Sequence, residues 1–269
     1  MIDAQLQQQL RERFNPDGSM LRRQQLRMLD ILLYIDKVCK DNDIKYWLSS
    51  GTLLGAVRHG GFIPWDDDLD IEMLKEDYIK FLKVFPDNEE FVLQTRHNDK
   101  YYLLPFAKIR DRHSCLSEFG GNENYKFRGL FVDVFCLEKS PRFAYVVFGI
   151  ILHYIIKFQN GKCDKFSLAL TNIYKKLFYG FVYISKPLLS IIPFKKLNHL
   201  YGCGPRWRCR NIKDIIPLST IQFEGYPFPA PNSCDAYLTQ MFGNYTKLPH
   251  LDAIRTHISK CDFIDSSKQ

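Results

Sequence analysis

The feature that most constrains the fold of this chain is a cluster of four acids within five positions, Asp66, Asp67, Asp68 and Asp70. The run DLDIEML at 68–74 has apolar residues around its acids and predicts a strand. Side chains alternate between the faces of a strand, so Asp68 and Asp70 project together, joined by Asp66 if the strand begins there. Carboxylates on one face repel unless a cation lies between them, and Mg²⁺ is commonly held by such carboxylates plus phosphate oxygens. A solvated acidic turn is the alternative.

A turn of small residues, Ser50-Gly51-Thr52, precedes the acids. It lies at the predicted junction between a short strand, IKYWLSS, and a short helix, GTLLGAVRH. A helix N-terminus presents free N–H groups and the positive end of the helix dipole, and glycine lets a phosphate approach the backbone. Alone, this turn is equally consistent with an ordinary helix cap. Followed by the acidic strand, it predicts a site for a metal and a phosphate.

A third carboxylate lies in a separate predicted strand. The run GLFVDVFCLE at 129–138 is apolar except for Asp133 and Glu138. Burial of an unpaired charge is costly, so an ionised Asp133 needs a partner or a metal. Three acids can hold two metals, or can hold one metal and activate an acceptor hydroxyl. The structural alternative pairs Asp133 with a neighbouring base such as Arg128 or Lys108.

The order of these parts, a small-residue turn, a D-x-D strand and an acid on a later strand, resembles the nucleotidyltransferase fold. The longer stretch SSGTLLGAVRHGGFIPWDDDLDI at 49–71 resembles the hallmark of the LicD family, whose relatives include bacterial phosphorylcholine transferases and fukutin-type proteins. The helix before it, PFAKIRD at 105–111, GLFVDVFCLE and the closing run at 223–249 also resemble the family. The resemblance covers residues 20–140 and 218–250.

The resemblance implies an α/β (α+β) fold with a nucleotidyltransferase-like mixed sheet, mostly antiparallel, flanked by helices. It implies that Asp68, Asp70 and Asp133 are catalytic and bind Mg²⁺ or Mn²⁺, with Asp133 helping to deprotonate the acceptor. It also implies contacts to the donor phosphates from hydroxyls, backbone and cations, namely Ser50, Gly51, Thr52, Arg58, Lys108 and Arg110. For the cations, the alternative is a general contribution to surface solubility.

For function, the resemblance implies transfer of a phosphorylated small alcohol, such as phosphocholine, from a CDP-linked donor to a hydroxyl of a cell-surface glycan or lipid-linked oligosaccharide. Three alternatives remain open. A D-x-D glycosyltransferase would use the same acids to hold the diphosphate of a sugar nucleotide. An enzyme acting on nucleic acid has weak support in the net charge of +7, but no basic–aromatic motif accompanies it, so no nucleic-acid partner is expected. A non-enzymatic membrane or interaction protein is disfavoured by the three acids.

The chain becomes apolar after Pro141. The runs at 143–158 and 177–194 are near the lower length limit of a membrane span, but His153, Lys157 and Lys186-Pro187 interrupt them. We therefore predict helices that cover the core and touch a membrane surface without crossing it. The predicted organisation is a catalytic core at 1–140, an apolar helical insertion at 141–217 and a C-terminal segment at 218–269 that completes the domain.

The cysteines and the N-terminus bear on the compartment. Eight cysteines are scattered along the chain and none forms a C-x-x-C pair, which favours reduced thiols. The N-terminal run MIDAQLQQQLRERF lacks the basic and apolar regions of a secretory signal. These features predict a cytoplasmic protein, and the apolar segment predicts a position at the cytoplasmic face of the inner membrane.

Overall fold

The computed structural model describes residues 2–118, 121–159, 164–191, 194–201, 203, 208–251 and 258–264. Its helices are α1 (Ala4–Phe14), α2 (Met20–Asp41), α3 (Ser50–His59), α4 (Lys75–Val84), α5 (Arg142–Gln159), α6 (Lys165–Ser190), α7 (Ile212–Ile215) and α8 (Cys234–Phe242). Its strands are β1 (Trp47–Leu48), β2 (Asp70–Leu74), β3 (Phe91–Gln94), β4 (Ala107–Asp111), β5 (Ser114–Glu118), β6 (Phe131–Lys139), β7 (Leu197–His199), β8 (Ser219–Phe223), β9 (Tyr226–Ala230) and β10 (Ile258–Phe263). This is the predicted mixed α/β architecture.

The main sheet has six strands in the order β1-β2-β6-β4-β3, and β7 pairs with the end of β6. Strands β2 and β6 are parallel, and the other pairings in this sheet are antiparallel. The predicted mixed, mostly antiparallel sheet is therefore confirmed. Strands β8 and β9 form a separate hairpin, and β10 pairs with β5.

The register of this sheet aligns a row of polar residues. Asp70 lies beside Asp133, Asp133 beside Lys108, and Lys108 beside Gln94. Residues directly opposite each other on neighbouring strands project to the same face, so these side chains share one face of the sheet. Because side chains alternate, the intervening residues project to the opposite face, which is apolar and buried.

Helix α2 covers the apolar face. Its core residues recur at three- and four-residue spacing, and Met28, Ile31, Leu32 and Ile35 are fully buried. Each such side chain stabilises the fold by roughly 1.5–3 kcal/mol relative to exposure. Ser19 begins the helix, since its Oγ accepts a hydrogen bond from the N–H of Arg22 at 3.2 Å. The helix expected before the stretch at 49–71 is therefore present, at Met20–Asp41.

Helices α5 and α6 form a hairpin, and their inward-facing side chains build a second, smaller apolar cluster. Its buried members are Leu103, Ala144, Tyr145, Phe148, Leu152, Phe178, Val182 and Tyr201. By length and composition, α5 is the one helix in the described part of the chain that could cross a membrane, and a third of it is buried. Strand β7 follows the hairpin and belongs to the main sheet, so the predicted insertion at 141–217 is not helical throughout and has only the short helix α7 after β7. The division of the chain into three segments stays a prediction.

Three local predictions differ from the structure. The apolar and aromatic run at 102–109 favours a strand from Tyr102, but β4 begins only at Ala107, because Pro105 cannot donate a ladder hydrogen bond. The Pro- and Gly-rich composition after 218 favours loops, but this region forms the β8–β9 hairpin, whose two-residue turn Glu224-Gly225 has φ values of +51° and +83°. Positive φ at both turn residues matches the right-handed twist of a hairpin. Helix α1 carries a weak apolar pattern and was not predicted.

Candidate active site

Strand β2 begins at Asp70, two residues later than the predicted start at Asp68, and the start of α3 holds Asp70 in place. Thr52 Oγ1 accepts a hydrogen bond from the N–H of Asp70 at 2.8 Å, and the N–H of Ser49 donates to the carbonyl of Asp70 at 3.1 Å. Thr52 is buried, at 4% exposure. The structure therefore gives Thr52 a positioning contact with Asp70, and its predicted contact with a donor phosphate stays a prediction.

Two serines at the N-terminus of α3 have unsatisfied hydroxyls. Ser49 and Ser50 are buried, and among the described residues neither Oγ atom has a hydrogen-bond partner. Ser50 also adopts a φ of +48°, a left-handed conformation that costs of order 1–3 kcal/mol for a residue with a side chain. Buried hydroxyls normally have partners, so these two are suited to an anionic ligand at a helix N-terminus.

Gly51 allows a carboxylate to approach the same turn. A Cβ at Gly51 would lie 2.8 Å from Asp66 Oδ2, closer than real Cβ contacts permit. Since β2 begins at Asp70, Asp66 precedes the strand and faces the start of α3. The neighbour of Gly51 in this structure is therefore Asp66, and the predicted contact of Gly51 with a donor phosphate stays a prediction.

Asp70 and Asp133 are side-by-side neighbours on the parallel strands β2 and β6, which lie about 4.8 Å apart. Burial raises the pKa of Asp70 well above its usual value, and the charges of Asp68, Asp133 and Asp66 raise it further. Asp68 also raises the pKa of Asp133, so it lies close enough to repel both carboxylates. The structure thus brings the three sequence-predicted acids into one neighbourhood.

Lys108 supplies the cation beside this acidic group. Its Nζ lies 2.7 Å from Asp133 Oδ1 and 3.3 Å from the centroid of the Phe131 ring, and the residue is 3% exposed. Burial raises the pKa of Asp133 to about 6, although the ion pair with Lys108 opposes that shift. The pairing of Asp133 with Lys108, one of the two structural alternatives for this acid, is therefore present in the fold.

These residues fit a divalent cation only in a particular way. In the described part of the chain no three ligating side chains converge on one point, so the predicted set of three metal ligands stays a prediction. Two adjacent carboxylates on a sheet face fit Mg²⁺, which usually takes one or two carboxylates and completes its shell with phosphate oxygens and water. Asp70, with Asp68 or Asp133, would hold it.

The other two predicted phosphate-binding cations lie in different environments. Arg110 is fully buried, and its guanidinium donates to Gln94 Oε1 at 2.8 Å, the carbonyl of Gly129 at 2.8 Å and Glu118 Oε1 at 2.9 Å. All three guanidinium nitrogens are occupied, so the predicted role of Arg110 as a phosphate ligand is not supported by this arrangement. The register that places Lys108 beside Asp133 places Arg110 in a structural ion pair with Glu118.

Arg58, at the end of α3, is 7% exposed. It donates from Nε to His59 Nε2 at 2.9 Å and from NH1 to the carbonyl of Tyr245 at 3.1 Å. Burial lowers the pKa of Arg58, and the charge of Asp66 opposes this. Arg58 therefore faces the same acid that lies against Gly51, and its contact with phosphate stays a prediction.

Sequence reasoning missed the role of Glu72, two residues beyond Asp70 on the same face of β2. Glu72 is fully buried and accepts four hydrogen bonds, from Trp47 Nε1 at 3.0 Å, His199 Nε2 at 2.8 Å, Arg210 at 3.0 Å and Tyr237 Oη at 2.8 Å. Burial alone would raise its pKa, but Arg210 and His199 outweigh burial and lower the pKa to about 2. The sequence does contain a pattern that could have identified Glu72, because acids alternate with apolar residues as D-x-D-x-E from 68 to 72.

Comparison with known proteins finds a family match and a relative that covers most of the chain. Residues 43–145 match the family model described as LicD/FKTN/FKRP, nucleotidyltransferase domain. The chain is 30% identical over 263 residues to the lipopolysaccharide cholinephosphotransferase LicD of Haemophilus influenzae, a match that covers 88% of this chain and 95% of that protein. An uncharacterised protein of Rickettsia typhi is 52% identical over 62 residues, 23% of this chain and 20% of that one. Human ribitol 5-phosphate transferase FKRP is 48% identical over 44 residues, 16% of this chain and 9% of that one.

Proposed function

This chain belongs to the LicD/FKTN/FKRP nucleotidyltransferase family, and from that premise we propose that it transfers a phosphorylated small alcohol to a hydroxyl of a glycan. Relatives in the family bear the names of a cholinephosphotransferase and of ribitol-phosphate transferases, which share transfer of a phosphorus-containing group. For the finer assignment we propose a CDP-linked donor carrying a phosphocholine-like group. The proposed acceptor is a cell-surface polysaccharide or a lipid-linked oligosaccharide.

The observation that carries the proposal is the row Asp70–Asp133–Lys108, next to the serines at the N-terminus of α3. The helix N-terminus and its unsatisfied hydroxyls would receive the negatively charged oxygens of the donor diphosphate. The carboxylates would hold Mg²⁺ or Mn²⁺, and such a cation, when bound, would neutralise charge that develops on the phosphate oxygens. Lys108 would contribute fixed positive charge without leaving the sheet.

The proposed reaction is an in-line displacement at phosphorus. The acceptor hydroxyl oxygen attacks the phosphorus of the transferred group, the bond to the oxygen that links it to CMP breaks, and CMP leaves with that electron pair. The hydroxyl proton passes to Asp133, a carboxylate whose pKa is raised by burial, which makes it a better base than an ordinary aspartate. Lys108 holds Asp133 in place through their ion pair. The product is a phosphodiester on the glycan.

The cellular placement is part of the proposal. We propose that the enzyme acts in the cytoplasm, at the cytoplasmic face of the inner membrane. The apolar α5–α6 hairpin supports a contact with a membrane surface. Fractionation of cells, followed by extraction of the membrane fraction with carbonate and with detergent, tests this placement.

The deciding experiment is mass spectrometry of an acceptor glycan after incubation with the full chain, a divalent cation and a panel of CDP-linked and UDP-linked donors. We expect a mass increase equal to a phosphorylated alcohol with CDP-linked donors and release of CMP. The Asp70→Asn variant should give no product, and Asp17→Asn, an exposed acid far along the sequence from the site, is the matched control. Addition of a sugar without a phosphodiester would contradict the proposal and favour the glycosyltransferase alternative.

A further inference from the structure

A cavity of about 690 Å³ lies at the opposite end of strands β2 and β6 from the acids. Its polar wall holds Lys75 and Glu138–Lys139, which follow or end those strands, and Lys186 of α6. Asp70 and Asp133 each lie five residues earlier on the same strands, about 16 Å away at the usual rise per residue. The cavity is therefore a separate place in the molecule, and the proposed transfer reaction does not use it.

The charge of the cavity is positive. Glu138 is 8% exposed and bridges two lysines, with Lys75 Nζ 2.9 Å from Oε2 and Lys186 Nζ 2.8 Å from Oε1. One carboxylate therefore faces two ammonium groups, and Lys139 adds a third on the exposed rim. The remaining wall is apolar and aromatic, and includes Tyr183, Ile184 and Leu189. Positive charge next to an apolar wall suits an anionic headgroup attached to a hydrocarbon chain.

The cavity opens beside a broad apolar surface on the hairpin. Side chains that point away from its small core are exposed, including Tyr154 at 65%, Leu177 at 65%, Tyr183 at 80%, Ile184 at 68% and Leu188 at 67%. A monomeric soluble protein rarely leaves so many large apolar side chains in contact with water, so this face has an occupant.

The sequence around this surface is almost free of acids. Between 139 and 196 it has ten Lys and Arg and a single acid, Asp164, a net charge of +9 against +7 for the whole chain. A second copy of the chain would bring the same positive charge to the contact and be repelled. A bilayer that contains anionic phospholipid supplies both the negative charge and the hydrocarbon that this face lacks.

The geometry of α5 favours a position on the bilayer and opposes a crossing. Its 18 residues span about 27 Å, less than a hydrocarbon core of about 30 Å. One side of α5 is also committed to the protein, since Ala144, Tyr145, Phe148 and Leu152 pack into the small core with Leu103. A helix buried on one side and apolar on the other lies along an interface.

We propose that the α5–α6 hairpin docks on the surface of a membrane containing anionic phospholipid, and that the Lys75–Glu138–Lys186 cavity takes the phosphate of one lipid headgroup. The exposed apolar side chains of the hairpin enter the acyl boundary, and the surrounding lysines face neighbouring anionic headgroups. This docking site deepens the proposed placement at a membrane and rests on it, but it is independent of the transfer chemistry, because it shares no residue with the acids or with α3.

The test is flotation of the purified full chain with vesicles of phosphatidylcholine alone and of phosphatidylcholine mixed with phosphatidylglycerol. We expect binding to the anionic vesicles that weakens as salt is raised. The double variant Lys139→Gln/Lys186→Gln should bind about thirtyfold more weakly, since each cation near an anionic surface contributes on the order of a fivefold preference. Lys83→Gln/Lys213→Gln removes the same charge from exposed lysines elsewhere and should bind like the wild type.

A second pair of variants tests the apolar face. Leu177→Ser/Ile184→Ser should lower binding about tenfold or more, because two exposed side chains lose their transfer into the acyl boundary. Leu26→Ser/Ile79→Ser, at exposed positions on α2 and α4, is the matched control. All four variants should keep transfer activity toward a water-soluble acceptor, which separates this proposal from the proposed function.

Several outcomes would overturn the docking proposal. Equal binding to both kinds of vesicle, or no binding by the wild type, would show that anionic phospholipid does not bind this surface. Wild-type affinity of Lys139→Gln/Lys186→Gln for anionic vesicles would show that the cavity does not contact the lipid. A dimer in solution that Leu177→Ser/Ile184→Ser dissociates would identify a second copy as the occupant, and a need for detergent to release the protein from vesicles would indicate a spanning helix.

Discussion

Substitution of Glu72 by glutamine should destabilise the protein by about 3 kcal/mol at neutral pH. The two carboxylate oxygens of Glu72 accept four hydrogen bonds, two at Oε1 from His199 and Arg210 and two at Oε2 from Trp47 and Tyr237. Glutamine keeps the size of the side chain but replaces one acceptor oxygen by an NH₂ group, which faces two donors. It also leaves Arg210, 1% exposed, without its counter-charge. Breaking a buried pair in this way typically costs about 3–5 kcal/mol.

The pKa of Glu72 gives an independent magnitude. Its folded value of about 2, against an ordinary 4.5, means that protonation in the folded protein costs roughly 3 kcal/mol more than in the unfolded chain, at 1.36 kcal/mol per pH unit. Since the folded pKa is depressed, this stability is fully present above pH 4.5 and is lost as pH falls towards 2. The two magnitudes agree because both measure the loss of the same charge.

Urea unfolding of the wild type and Glu72→Gln at pH 7, repeated down to pH 3, measures both quantities. The variant should be less stable at pH 7, and the difference should shrink as the wild-type carboxyl becomes protonated. Glu76→Gln, an exposed acid at the start of α4, should change stability by less than about 0.5 kcal/mol. If Glu72→Gln lowers the free energy of unfolding at pH 7 by less than about 1 kcal/mol, well below the cost of breaking a buried ion pair, the hydrogen-bond network around Glu72 does not stabilise the fold as we infer.

Three further predictions concern the acids and the turn. Asp68→Asn and Asp70→Asn should each abolish transfer while circular dichroism shows an intact fold, and wild-type rates with Mg²⁺ present would remove these acids from the mechanism. Burial raises the pKa of Asp133 in the folded protein from 3.8 to about 6, so its contribution to the free energy of unfolding is fully present below pH 3.8 and is lost as the pH rises to 6. In EDTA, the free energy of unfolding of the wild type should therefore fall by about 3 kcal/mol more than that of Asp133→Asn over this range. Parallel pH profiles of the two proteins in urea unfolding would contradict this. Gly51→Ala should displace Asp66, since the new Cβ would lie 2.8 Å from its Oδ2. The variant should have a lower turnover number while its free energy of unfolding stays close to that of the wild type. An unchanged turnover number would show that the turn does not contact the donor.

Much of the candidate site could be read from local sequence. The small-residue turn, the short helix and the acidic strand lie within a single stretch of 25 residues. Strand alternation does not reach Asp68, because β2 begins at Asp70, but Asp68 still lies close enough to raise the pKa of Asp70. The carboxylate of Asp133, in the middle of an apolar run, likewise indicates a functional or paired group, because an isolated buried charge is too costly to occur without a partner. The family resemblance rests on the same stretches.

The pairing of strands decided what the single residues do. Lys108 and Arg110 lie two positions apart on β4 and are equivalent as sequence, yet one lies beside Asp133 and the other is enclosed by Gln94, Gly129 and Glu118. The partners of Glu72 come from 25 residues before it to 165 residues after it. Periodicity and propensity report on neighbours in sequence, whereas these contacts depend on which strands pair and in which register. The sequence alone therefore determined which residue types carry the chemistry, and the tertiary structure decided which of them meet, because the energy of a buried charge depends on the groups that surround it in space.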